Sequence, residues 1–153
     1  MTVMKKFKVL IVDDNAALAE EIAAFLNTHG PFVAVAVDDF RIAFSRAKEF
    51  GPDVCVLDLW DNATSTLRGQ FLAGQFLDDP QLVSMPVIFY TATKAIRQFG
   101  NIVKSEDYET TGVGIMPATR PKARSIMIAT KGKTVPEKLM AVIFEAMALE
   151  PLL

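Results

Sequence analysis

Residues 8–15 read Lys-Val-Leu-Ile-Val-Asp-Asp-Asn. The apolar part of this stretch, 9–12, has no polar interruption, which is typical of a strand covered on both faces of a parallel sheet. Two carboxylates, Asp13 and Asp14, follow immediately. The stretch therefore predicts a buried strand that ends in acidic side chains.

The rest of the chain repeats this arrangement of a short apolar run followed by a segment with helical periodicity. Further strands are predicted at 32–37, 54–57, 87–90 and 125–129. Helices are predicted around Leu18, Phe40, Phe71, Ile96 and Leu139, and the phenylalanines on their periodic faces are expected to lie in the core. Strands linked by helices require right-handed crossovers, so the sequence predicts an α/β fold with a doubly wound five-stranded parallel sheet.

One segment, 104–124, departs from this alternation. It contains two glycines, two prolines and no sustained period, which indicates a long loop or an inserted excursion that could contain a short element. Within it, 114–118 is expected to be a poor strand because Pro117 lacks a backbone donor. The prediction is a single domain spanning 1–153 with this excursion between the fourth helix and the fifth strand.

Composition limits the classes of function. Of 153 residues, 51% are hydrophobic and 22% are charged, and the formal net charge of -2 gives no general attraction to nucleic acid or to anionic lipid. A single cysteine, Cys55, excludes an internal disulfide, and a single histidine, His29, excludes a zinc site built from several imidazoles. Short apolar runs predict neither a membrane span nor a signal peptide, so a cytoplasmic protein is expected.

Polar residues follow the predicted strands where their carboxyl ends meet. Asp13 and Asp14 follow the first strand, Asp58 the third, Thr91 the fourth and Lys131 the fifth. Ligands of parallel sheets bind at this edge. Three aspartates placed together repel one another unless a hard cation lies between them, and Mg²⁺ prefers such oxygen ligands. An aspartate beside Mg²⁺ and a lysine is suited to accept a phosphoryl group.

Four pieces of the chain carry a family resemblance: 8–15, 52–58 (Pro-Asp-Val-Cys-Val-Leu-Asp), 86–92 (Pro-Val-Ile-Phe-Tyr-Thr-Ala) and Lys131. In this order, at strand ends, they resemble the receiver domains of response regulators in two-component signalling, of the single-domain, chemotaxis type. The resemblance implies a flavodoxin-like strand order 2-1-3-4-5. It also implies a signalling switch, not an enzyme, whose output is the binding of a downstream protein.

The resemblance implies a role for each site residue. Asp58 resembles the phospho-acceptor, which takes its phosphoryl group from a histidine kinase or a phosphotransfer protein. Asp13 and Asp14 resemble the acidic pair that holds Mg²⁺ together with Asp58 and the backbone carbonyl of Trp60. Thr91 resembles the switch hydroxyl, and Lys131 the lysine that pairs with the phosphoryl group.

The chain also departs from the receiver pattern. Leu-Trp-Asp-Asn follows Asp58 where the family usually has Met-Pro a few residues on, and Asp61 adds a negative charge near the site. If Gly69 matches the usual loop glycine, the loop before it is somewhat long. Lys131 is followed by Gly132 and not by proline, and Ile128 stands where receivers often have an aromatic residue.

Several alternatives remain at this stage. Asp13 and Asp14 could simply cap the first helix. Arg120 is a rival to Lys131 for the basic position. The chain could be a receiver-like interaction module that works without phosphorylation. It could also be a Mg²⁺-dependent phosphohydrolase in which Asp58 is the nucleophile and Asp61 the acid.

Overall fold

The computed structural model describes residues 5–62, 64–66, 68–91, 108–111, 114–117, 126–130 and 136–147. The strands within these ranges are β1 (Phe7–Val12), β2 (Phe32–Val37), β3 (Val54–Leu57), β4 (Val87–Thr91), β5 (Tyr108–Thr111), β6 (Gly114–Pro117) and β7 (Ile126–Thr130). The helices are α1 (Ala16–His29), α2 (Phe40–Phe50), α3 (Arg68–Leu77) and α4 (Pro136–Ala146). The helix predicted around Ile96 lies outside the described residues.

Five strands form one parallel sheet in the order β2-β1-β3-β4-β7. The predicted doubly wound α/β fold and its flavodoxin-like order are therefore confirmed. In the register of the sheet, Val12 at the end of β1 lies between Val37 of β2 and Leu57 of β3. The residues that follow these strands consequently emerge side by side at one edge.

Alternating side chains of the sheet enter two separate cores, as expected for a strand buried on both faces. Leu10 and Val12 of β1 belong to a cluster that includes side chains of α2 and α3. Val9 and Ile11 belong to a second cluster with side chains of α1 and α4. All four of these β1 side chains are at most 1% exposed, so β1 is held from both sides.

The excursion contains the antiparallel hairpin of β5 and β6. The expectation that 114–118 would make a poor strand was wrong for Gly114–Pro117. Pro117 is the last residue of β6 and lies opposite Tyr108. A proline is tolerated there because it is at the end of a strand in a two-stranded ribbon, where a missing donor disrupts little pairing.

The expectation that phenylalanines at helical spacing lie in the core was wrong for Phe71. Its side chain is 65% exposed, whereas Leu72 and Phe76 on the same helix are buried. The apolar stripe of α3 is thus narrower than its sequence period indicates. No helix in the described part of the chain is long and apolar enough to cross a membrane.

Helix α3 is seated against the connection that follows β3 through Gly69. The backbone N–H of Gly69 donates to the carbonyl of Leu59 at 3.0 Å. A Cβ added at Gly69 would overlap the carbonyl oxygen of Asp58 and lie 2.8 Å from Leu59 Cα. Gly74, one turn further along α3, has nothing within 4 Å of such a Cβ. Only the first of these glycines is required by packing.

We expect Gly69→Ala to lower the free energy of unfolding by about 2 to 3 kcal/mol, because the methyl group forces two backbone segments apart. Gly74→Ala is the matched control and should raise it by up to about 1 kcal/mol, since alanine favours a helix over glycine. Urea denaturation of both variants measures the difference. Equal stabilities would contradict the close contact at Gly69.

Candidate functional site

Three aspartates meet at the carboxyl edge of the sheet. Asp13 follows β1 and Asp58 follows β3, and the pairing of these strands brings the two residues next to each other. One carboxylate oxygen from each of Asp13, Asp14 and Asp58 lies within 4.8 Å of the others. Asp13 is 3% and Asp58 5% exposed, and Asp14 is half-buried. The structure thus brings together three of the acids that the sequence placed at this edge.

Backbone hydrogen bonds fix the position of the two buried acids. The N–H of Asp13 donates to the Val37 carbonyl at 3.1 Å, and the N–H of Asp58 donates to the Val12 carbonyl at 2.9 Å. Both residues therefore extend the ladder of the sheet by one position. In addition, the N–H of Asn15 donates to Asp13 Oδ1 at 2.9 Å, which orients that carboxylate.

The alternative that Asp13 and Asp14 cap the first helix was wrong. Asn15 is the N-cap of α1, and its side-chain oxygen accepts a hydrogen bond from the N–H of Leu18 at 3.1 Å. An asparagine at this position satisfies a helix donor as well as an aspartate does. The acidic pair is therefore not required for the start of the helix.

Asp14 has one satisfied oxygen and one unsatisfied oxygen. The N–H of Asn62 donates to its Oδ2 at 2.8 Å. Its Oδ1 is buried and has no hydrogen-bond partner within the part of the chain that the structure describes. A buried carboxylate oxygen without a partner is costly and calls for a cation or a donor. Three carboxylates with one such oxygen fit a hard divalent cation, so these residues could hold Mg²⁺.

The connection between β3 and α3 closes one side of the acidic group. The N–H of Trp60 donates to Asp58 Oδ1 at 3.3 Å, and the Trp60 side chain packs against the core cluster under α2 and α3. Because the N–H of Asn62 also donates to Asp14, this connection orients two of the three acids, Asp58 and Asp14. Sequence reasoning could not find the Asn62 contact, because a backbone N–H carries no residue-type signal.

Asp61 points into its own loop. It is 5% exposed and forms an isolated bridge with Thr66, in which the Asp61 N–H donates to the Thr66 carbonyl at 2.9 Å. The hydroxyl of Thr64 donates to Asp61 Oδ2 at 3.1 Å. Asp61 is not a member of the group whose oxygens lie within 4.8 Å. Its negative charge is thus engaged by the loop next to the acidic group.

The remaining candidate residues lie further along the same edge. Thr91 is the last residue of β4 and pairs with Thr130 at the end of β7. Its backbone is therefore at the carboxyl edge, as the sequence predicted. Lys131 directly follows Thr130 but lies outside the described residues, as do Gly132 and Arg120.

Comparison with known proteins was made in sequence and in structure. No protein-family model matches the chain, and no curated protein matches its sequence. Solved structures do match. A response regulator from Chloroflexus aurantiacus superposes with a TM-score of 0.64 at 17% identity, over 94% of this chain and 99% of that one. The chemotaxis protein CheY4 of Vibrio cholerae gives a TM-score of 0.65 at 17% identity, over 92% and 98%.

A further solved structure matches the chain with similar coverage and similarly low identity. A sensor protein from Polaromonas sp. JS666 gives a TM-score of 0.66 at 15% identity, over 92% of this chain and 95% of that one. At these identities the likeness concerns the fold. The structure and these neighbours together confirm the predicted resemblance: the chain has the fold of response-regulator receiver domains.

Proposed function

We propose that this protein is a signal receiver of two-component signalling, acting as a phosphorylation switch or as a phosphorelay intermediate. Asp58 would take a phosphoryl group from a sensor histidine kinase or a phosphotransfer protein and pass the signal to a downstream protein by binding. The observation that carries the proposal is the group of Asp13, Asp14 and Asp58, with oxygens within 4.8 Å at the carboxyl edge of the sheet.

In the proposed reaction, a carboxylate oxygen of Asp58 attacks the phosphorus atom. A new O–P bond forms while the bond from phosphorus to the donor breaks, and the donor leaves with that electron pair. Asp58 is suited to this role because burial limits the access of water and the Trp60 N–H orients its Oδ1. The product is an acyl phosphate on Asp58.

The proposed Mg²⁺ ligands are Asp13, Asp14, Asp58 and the backbone carbonyl of Trp60. When bound, the ion supplies positive charge that screens the three carboxylates and the incoming phosphoryl oxygens. Oδ1 of Asp14 has no hydrogen-bond partner among the described residues, and this supports the assignment because a buried carboxylate oxygen calls for a cation or a donor. Asn62 and Asn15 hold the carboxylates of Asp14 and Asp13 in place.

Thr91 and Lys131 complete the proposal through their sequence positions. We assign Thr91 as the switch hydroxyl and Lys131 as the cation that pairs with the phosphoryl group, on the basis of the motif resemblance. A phosphotransfer role also implies that the protein works in the cytoplasm. Turnover of free substrate is not part of this role, so the reaction is expected to stop at one phosphoryl group per chain.

One prediction of this proposal concerns Asp58 as the phospho-acceptor. With acetyl phosphate and Mg²⁺, the intact mass of the wild type should rise by one phosphoryl group, and Asp58→Asn should show no such increase because the amide is a poor nucleophile. Asp78→Asn, a change at an exposed aspartate on the chain, is the matched control and should behave as the wild type does. Mass spectrometry of the intact protein makes the measurement.

Two other results would contradict the proposal. Absence of the phosphoryl adduct in a folded wild type would favour an interaction module that works without phosphorylation. Release of many equivalents of phosphate from a small phosphoester would favour a phosphohydrolase. The affinity of Asp58→Ala for a partner protein tests the interaction module, which predicts the same affinity as that of the wild type.

Another prediction of this proposal concerns Mg²⁺ binding. We expect Asp14→Asn to weaken Mg²⁺ binding at least about tenfold, or ~1.4 kcal/mol. In metal-free buffer the same variant should be more stable than the wild type by about 1 kcal/mol, because one of three mutually repelling charges is removed. Trp60 fluorescence follows the titration, and urea denaturation gives the stability. Lower stability without metal would contradict the repulsion on which the site is built.

A further inference from the structure

A groove of about 250 Å³ lies between α2 and α3. Its lining includes Arg68, at the end of the connection between β3 and α3, which is called the acceptor loop from here on. Its floor is apolar and includes Phe44 and Leu72, which belong to or pack against the core beneath it. Phe44 is further fixed by stacking on Phe76, with ring centroids 6.3 Å apart. The floor of the groove is therefore formed by side chains that packing already holds in place.

Phe71 forms part of the lining and is 65% exposed. A large aromatic side chain in water leaves apolar surface that a partner could cover favourably. Scattered exposed apolar residues are ordinary on protein surfaces. Phe71 differs because it adjoins a groove that already contains other aromatic side chains.

The same groove carries positive charge. Arg41 and Arg68 line it, and none of the described residues in its lining is acidic. The neighbouring Asp39 pairs with Arg41, with a shortest N–O distance of 2.9 Å, and this pairing holds the pKa of Asp39 below its usual value. The lining itself therefore carries two basic side chains and, among the described residues, no acidic one, while Asp39 and the buried Asp61 both lie within electrostatic range of Arg41.

We propose that the α2–α3 groove binds a short segment of a partner protein that combines an apolar side chain with acidic side chains. The apolar side chain would cover Phe71 and enter the groove, and the carboxylates would pair with Arg68 and Arg41. Arginine and aromatic side chains are the residue types that contribute most at protein interfaces. Charge complementarity selects an acidic segment over a basic or neutral one.

Other occupants fit the groove less well. A volume of about 250 Å³ is below the ~300–1,000 Å³ typical of small-molecule pockets, and the exposed Phe71 would remain uncovered by a buried ligand. A second copy presenting the same face would bring arginines against arginines. Two arginines are also few for an anionic membrane, which is usually bound by clusters of four to eight basic residues, that is, about twice as many or more.

The location gives the groove a connection to the acceptor loop. Arg68 immediately precedes Gly69, whose backbone contacts Asp58 and Leu59. Arg41 is close enough to the buried Asp61 for that carboxylate to help raise the pKa of Arg41, after the larger effect of Asp39. A segment bound in the groove would therefore lie beside the loop that follows Asp58. Binding itself requires neither Mg²⁺ nor phosphorylation.

The test starts from a phage-displayed library of random peptides selected on the wild-type protein without Mg²⁺ or phosphodonor. The peptides recovered should be enriched in Asp and Glu and should contain Phe, Leu or Trp. The most enriched peptide is then labelled with fluorescein, and its affinity is measured by anisotropy. Because no phosphodonor is present, failure here is separate from failure of the proposed receiver function.

Charge and apolar variants locate the binding site. Arg68→Glu and Phe71→Ser should each weaken the peptide about tenfold, which corresponds to ~1.4 kcal/mol. Arg46→Glu and Ile42→Ser are matched controls, since both residues are exposed on α2 and neither lines the groove. These two variants should change the affinity less than about twofold, within the range of typical surface substitutions.

Three results would overturn the proposal. The first is a library selection that yields no peptide or only peptides without acidic residues. The second is an equal effect of Arg46→Glu and Arg68→Glu on the selected peptide. The third is evidence of a different occupant of the groove. Such evidence would be a wild-type dimer that Phe71→Ser converts to a monomer, or wild-type binding to phosphatidylglycerol vesicles that Phe71→Ser abolishes.

Discussion

The parallel pairing of β1 with β3 is the constraint on which the rest of this structure depends. It aligns Val12 with Leu57, so the next residues, Asp13 and Asp58, leave the sheet at the same level. The apolar residues of β1 are buried on both faces of the sheet, and a shift of register would misplace both sets at once. The packing of two cores therefore fixes the distance between two carboxylates that lie 45 residues apart in sequence. The register that packs the two cores is therefore the same register that places Asp13 and Asp58 at one edge of the sheet.

Three carboxylates placed at that edge repel one another, and this repulsion opposes folding. Hydrogen bonds to the carboxylates offset the repulsion only in part. Backbone N–H groups of Asn15, Trp60 and Asn62 donate to Asp13, Asp58 and Asp14 respectively. These bonds orient the carboxylates but leave Oδ1 of Asp14 buried without a partner in the described structure. Under the proposed function, a cation bound among the three carboxylates would reduce their mutual repulsion.

The loop between β3 and α3 joins three features of the molecule. Its first residues hold the acids, and its middle is closed by the Asp61–Thr66 bridge. It ends at Arg68, the first residue of α3, which lines the α2–α3 groove, and the next residue, Gly69, packs against the backbone of Asp58 and Leu59. A change at Asp58 and a ligand in the groove would both act on this short, closely packed segment. Physical contact of this kind is a basis for coupling, which a measured interaction free energy would establish.

The sequence alone determined the fold class, the strand order that its motifs implied, and the meeting of Asp13, Asp14 and Asp58. It could do so because an uninterrupted apolar run and a polar residue at its end are local signals, and parallel topology converts them into a shared edge. Only the three-dimensional structure decided which of several possible contacts form and which faces are covered. It assigned the cap of α1 to Asn15, turned Asp61 toward Thr64, paired Gly114–Pro117 in a hairpin and left Phe71 exposed. Helical spacing says which residues share a face, but whether that face is covered depends on segments far away in the chain.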